Sequence, residues 1–196
     1  MSHIQRLSKK IIFAAIVSLI ANSQLYANDL AMIPEQVTKL KSPDGAHEVF
    51  DVNKGFSADG EQNRELCIRT LGHKGTQRLL TYHRCVDVAW SPDSSAFIVN
   101  DNAGSNLVIP HLYKVNDLSH PVDLSSGLMN ALRDKKDKLD IEQSDVFLLI
   151  YASRWINPNA LELTIKGAGQ KVGCFKIVYE WDLKKTFKKL KRVNDV

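Results

Sequence analysis

Trp90-Ser91-Pro92-Asp93-Ser94-Ser95-Ala96-Phe97-Ile98-Val99-Asn100 is the stretch on which the reading of this chain turns. Pro92 presets φ at the second position of a tight turn and Asp93 tolerates the third. Ala96 to Val99 is continuously apolar, which is the pattern of a strand covered on both faces. On the approach to the turn, Val86, Val88 and Trp90 alternate with Asp87 and Ala89, giving a strand-turn-strand unit.

The unit repeats. Ser42-Pro43-Asp44-Gly45 stands 49 residues before Ser91, with Gly45 relieving the fourth turn position, and a degenerate third copy is Asn157-Pro158-Asn159-Ala160. Trp90 and Trp155 precede the second and third copies. Tyr113 and Tyr179 each lie 21 residues after Pro92 and Pro158, and Leu124 and Leu190 each lie 32 after them. In the first copy the corresponding strand, Leu66 to Leu71, comes late because of the polar loop Ser57 to Asn63. Pro92 and Pro158 are 66 residues apart, and residues 125–144 supply the extra length as an inserted helix. Leu161, Leu163 and Ile165 alternate with Glu162, Thr164 and Lys166, and Phe175, Ile177, Tyr179 and Trp181 continue the strand pattern. Val146 to Ala152 leads into the third turn as a strand, although so apolar a run also suits a helix.

The Trp-Ser-Pro-Asp turn followed by an apolar strand resembles the WD40-like repeat of TolB-type β-propellers. The resemblance implies an all-β fold of three blade repeats, at about residues 36–82, 85–124 and 145–191, interrupted by the helical insertion 125–144. It specifies an architecture and no catalytic residue. Closed propellers use typically four to eight blades. Three units therefore imply either an open part-propeller or closure by another chain, a homodimer or a partner that adds to a sheet edge.

Ahead of the repeats, Arg6, Lys9 and Lys10 lead into apolar Ile11 to Ala21 and then to Ala27, the order of a signal peptide cut after Ala27. The apolar run falls short of the roughly 20 residues a membrane-spanning helix needs. The expected mature protein is a single β-repeat domain, 28–196, in the periplasm or beyond. Its formal charge falls from +4 to +1 once the three N-terminal cations are removed. Lys184, Lys185, Lys188, Lys189, Lys191 and Arg192 then concentrate positive charge in the tail over a mildly acidic body. A lysine-rich edge strand is expected there rather than an amphipathic helix, with an acidic partner or anionic lipid as a further reading of the same charge. An exported chain is not expected to meet nucleic acid.

Export also favours a bridged cysteine pair. Cys67 and Cys85 are the expected pair, because a hairpin turn at Gly72 to Gly75 folds the chain back between them, and Cys174 is expected as a buried free thiol.

The motifs that carry chemistry are sparse. His83 and Cys85, with His73 across the hairpin, could approach a metal, but Cys-x-x-Cys and His-Glu-x-x-His spacings are missing, so no metal or cofactor is expected. Asp101, Asn102, Ser105 and Asn106 read as a polar turn rather than a calcium loop. No serine occupies a Gly-x-Ser-x-Gly elbow. The expected function is that of an exported, non-enzymatic protein-binding module, for instance an immunity or inhibitor protein. The alternatives are a small periplasmic hydrolase whose site is assembled in space, around His47, His83 or His111, and a metal or ligand carrier.

Overall fold

The computed structural model describes residues 29–132, 147–169, 173–184 and 186–194. The expected signal segment 1–27, and the insertion from residue 133 onward, lie outside the described residues. The strands are β1 (Ala31–Ile33), β2 (Lys39–Lys41), β3 (His47–Phe56), β4 (Gln62–Thr70), β5 (Gln77–Tyr82), β6 (Val86–Trp90), β7 (Ala96–Gly104), β8 (Leu107–Lys114) and β9 (Asp117–Asp123). After helix α1 (Leu124–Ala131) come β10 (Phe147–Asn157), β11 (Ala160–Gly169), β12 (Gly173–Asp182) and β13 (Phe187–Asn194).

They form three antiparallel sheets in chain order. The first is β2-β3-β4-β5, the middle one β1-β6-β7-β8-β9 and the third β10-β11-β12-β13. The fold is mostly β. Alternation along β7 explains the layering: Phe97 and Val99 enter one apolar core, and Ala96 and Ile98 enter the other. The first core is shared with Val49, Leu66, Ile68 and Tyr82 of the first sheet. The second is shared with Leu161, Leu163, Ile165, Phe175, Ile177, Tyr179 and Trp181 of the third. The middle sheet therefore lies between the other two.

Tyr113 pairs with Phe97, and Tyr179 pairs with Leu163, in each case opposite the residue five after the turn proline. The 32-residue mark has no such common position. Leu124 opens α1 and is buried, whereas Leu190 is an exposed residue of β13, skipped in its pairing with β12 where Val178 meets Lys191 and Tyr179 meets Lys189. The last strand is as expected, but its register is broken at that leucine. In α1, Asp123 caps the first turn by accepting from the Ser125 N–H at 2.8 Å, and Leu124, Leu128 and Leu132 form the buried stripe, four residues apart.

Polar groups register the layers. Trp90 Nε1 donates to the Leu40 carbonyl at 3.4 Å, and Trp155 Nε1 donates to the Ala89 carbonyl at 3.1 Å. Leu40 and Ala89 each lie two residues before their turn serine, Ser42 and Ser91, so both tryptophans reach the same place on the preceding sheet. The second contact survives an extra residue, Ile156, because β10 shifts register between Trp155 and Asn157. Asn100, 1% exposed, pairs twice with Ala152. Its amide donates to the carbonyl at 2.9 Å and its oxygen accepts the backbone N–H at 2.9 Å.

The expected Cys67–Cys85 bridge is not formed, and all three cysteines are free. The hairpin exists, but its register sets Cys67 opposite Arg78 and brings Tyr82 to Arg64, so Cys85 lies beyond the paired strands. Alternation adds a second obstacle. Leu66 and Ile68 face the middle sheet, so Cys67 between them faces away from it, while Cys85 sits next to β6 and receives a long contact from the Asn102 amide at 3.5 Å. Cys174, expected buried, is exposed.

Two outcomes check this architecture. Asn100→Ala strands a buried carbonyl and a buried N–H of Ala152, and should lower unfolding stability in urea by about 3 kcal/mol. Thiol titration of the denatured protein without reductant should find three free cysteines; in the native protein Cys174 should react first and Cys67 only on unfolding, since burial pushes the Cys67 thiol up.

Candidate functional site

The turn motifs are built alike in the first two copies. Ser42 Oγ donates to Asp44 at 2.6 Å and accepts the His47 N–H at 2.9 Å. Ser91 Oγ donates to Asp93 at 2.7 Å and accepts the Ala96 N–H at 3.0 Å. Pro43 and Pro92 fill the second positions, and the fourth is left-handed in both, Gly45 at φ 71° and Ser94 at φ 62°. Ser94 is a non-glycine residue in a strained conformation, and its hydroxyl accepts the Asp44 N–H at 3.0 Å, joining the two turns. The third copy differs: Asn157 accepts the Asn159 N–H at 2.8 Å, and Pro158 sits in a turn closed by the Asn157–Ala160 pair. A further turn of the same chemistry, Ser57-Ala58-Asp59-Gly60, joins β3 to β4, with Gly60 at φ 82°. Its Ser-x-Asp-Gly order was visible in the sequence. The aspartates Asp44, Asp59 and Asp93 are all held below the usual carboxylate range, Asp44 and Asp59 chiefly by their serine hydroxyls, Asp93 by such hydrogen bonds against the opposing effect of burial.

These motifs order the backbone and carry no catalytic constellation. The histidines are dispersed. His47 Nδ1 lies 3.3 Å from Thr70 Oγ1, beside a cleft of about 330 Å³ lined by Arg69, His73 and Lys74. His83 Nδ1 lies 2.8 Å from the Gln62 carbonyl and 3.9 Å from Glu61, at an open cleft with Glu35, Arg84 and Ser105. His120, on exposed β9, meets Asp117 at 2.8 Å and Ser119 at 3.3 Å. Among the described residues no group of three or more His, Cys, Asp and Glu is placed to hold a metal.

Two polar clusters were not legible in the sequence. Arg64 donates to both oxygens of Asp51, which also accepts the Tyr82 hydroxyl, at the buried end of the first sheet. Burial is the main force pushing the Tyr82 phenol up. In the middle sheet, His111 is opposite Asp123 and its Nδ1 is buried with no partner. Burial pushes the His111 imidazole below its ordinary value, against the pull of Asp123 and Asp101, while burial pushes the Asp101 and Asp87 carboxyls up. Tyr113, stacked on Phe97, is pushed up to about 12 by burial.

The two outer surfaces of the stack end in ion pairs. Glu48, five residues after Pro43, pairs with Arg69, whereas the residues five after Pro92 and Pro158 form the pairs Phe97–Tyr113 and Leu163–Tyr179. Lys54 and Arg78 flank Glu65 at 3.2 and 3.4 Å on the same face, and Arg154 reaches Glu162 at 3.0 Å on the third sheet. At the end of the third sheet, β13 presents Lys188, Lys189 and Lys191 with exposed Leu190 and Val193. Arg192 belongs to the same strand, opposite Ile177, Lys184 precedes it, and Lys185 lies outside the described residues.

No family model and no curated protein matches the chain.

A half-buried histidine whose imidazole is pushed below its ordinary value has a defined pH signature. The unfolded chain takes up the His111 proton near 6.5, whereas the native protein resists it until lower pH. The stabilising contribution is complete above that value and is lost as pH falls through it. His111→Phe should therefore lose less melting temperature than the wild type between about pH 7 and about pH 5.5, read by calorimetry.

Proposed function

We propose that the chain is an exported, non-enzymatic binding module, an open part-propeller of the WD40-like or TolB-like kind, and that an acidic segment of another protein docks along β13. The apolar side chains of Leu190 and Val193, 43% and 45% exposed on a lysine-rich terminal strand, are the observation that carries this reading. An extended peptide can add to such an edge through main-chain hydrogen bonds, its carboxylates meeting the lysines and its apolar side chains covering Leu190 and Val193. Lysines on the strand disfavour neutral or basic strands, so the edge selects by charge.

The same chemistry argues for a different protein rather than a second copy. Two β13 strands paired about a two-fold axis would set lysine against lysine. Face-to-face closure by another sheet is equally disfavoured at the first sheet, where Glu48–Arg69 and Lys54–Glu65–Arg78 replace an apolar surface. The proposed location is the periplasm, with the segment up to Ala27 removed, and an inhibitor or immunity protein is the concrete form the reading takes.

A photo-reactive residue at position 190 of the full chain in living cells tests it. A discrete crosslink to another protein should be recovered in the periplasmic fraction, be absent when the probe is at Ser119, and fall at least about tenfold with Lys188→Glu and Lys191→Glu combined. A crosslink only to the chain itself, or one indifferent to the charge reversal, overturns the proposal.

A further inference from the structure

A groove of about 440 Å³ opens between the middle and third sheets beside α1; of β13 it takes in Phe187, the first residue, and neither Leu190 nor Val193 lines it. Its walls are Leu112 and Val122 from the middle sheet and Leu183 and Phe187 from the third. Gly127 of α1 faces the same space, where a Cβ would stand 3.8 Å from Phe187 Cζ, an ordinary contact. The volume lies within the range of small-molecule pockets.

The polar groups of the groove are all donors or donor-bearing. Trp181 lines it, is 4% exposed and stacks on Phe187 at 5.7 Å, yet its buried Nε1 has no acceptor. That is unlike Trp90 and Trp155, whose indoles are both satisfied by backbone carbonyls. A buried donor left unpaired costs free energy that an incoming acceptor recovers. Lys114 brings a cation to the same lining and Asn130 brings an amide. Asp117 stands opposite Lys114 in the β8–β9 register, but its carboxyl is engaged chiefly by His120, which leaves the Lys114 cation for an incoming anion.

We propose that this groove binds a single-chain aliphatic carboxylate, its hydrocarbon lying against Leu112, Val122, Leu183 and Phe187 and its head group accepting from Trp181 Nε1 and Lys114. An apolar body alone would leave the indole unpaired, and a cationic head would meet Lys114. The site is thus specific in both parts: apolar walls for the chain, and a fixed donor with a cation for the head.

Isothermal titration of the full mature chain with decanoate, decanol and decyltrimethylammonium, all below their micellar range, tests the assignment. Decanoate should bind, decanol at least about tenfold more weakly, and the cation not measurably. Lys114→Ala and Trp181→Phe should each weaken decanoate about tenfold. Gly127→Leu fills the groove from a helical position where leucine is the better helix former. It should abolish binding while the melting temperature stays level or rises, so that loss of binding is not loss of fold. Absence of decanoate binding to the wild type, equal affinity for decanoate and decanol, or retained binding in Gly127→Leu would each overturn the proposal.

Discussion

Because β7 directs Phe97 and Val99 into one apolar core and Ala96 and Ile98 into the other, the strands at the centre of the middle sheet have no face left for water. The packing on both sides follows from that constraint. Sheets that cover it must bring apolar faces, and a polar group caught between the layers costs free energy unless it finds a partner. Asn100 continues β7 into the second core and meets the requirement by using its amide as a surrogate peptide group toward Ala152. Trp90 and Trp155 meet it by donating to carbonyls of the preceding sheet. Each buried polar contact then fixes the register of two layers, which non-directional apolar packing cannot do.

The features legible in the sequence were those with a period. Alternation and the Ser-Pro-Asp turns located the strands around both central turns, and the spacing from Pro92 and Pro158 found the tyrosines that share one register. The spacing misjudged Leu124 and Leu190, because β9 ends in a helix cap at Asp123 while β13 continues past a skipped residue. The cysteines were misread because a hairpin says which strands are adjacent but not which residues are opposite, and strand parity turned Cys67 away. Asp51, Arg64 and Tyr82 lie in three strands separated by two turns, so no linear spacing announced them. The unpaired indole of Trp181 was equally hidden, since Trp181 fits the apolar alternation of β12 as well as a satisfied residue would.

The first sheet also shows how a stack of sheets ends. At the position five residues after the turn proline, Phe97 and Leu163 are buried against the sheet before them, and among the described residues no sheet lies before the first. Glu48 occupies that place, paired with Arg69, whose guanidinium also lies 5.0 Å from the Phe50 ring centre. A polar outer face of this kind ends a stack of sheets in the way that terminal units end a one-dimensional array.

Strand β1 changes the character of that array. Residues 31–33 pair with 86–88 of β6, so the whole first sheet, 39–82, is a loop closed between two hydrogen-bonded partners of the middle one. A stack of repeats joined only by neighbouring surfaces could lose its first unit by fraying. Here the first unit cannot leave while its own leading segment remains woven into the second, and the two must come apart as one cooperative body. The third sheet has no equivalent strand among the described residues, so by this constraint fraying begins from the C-terminal side.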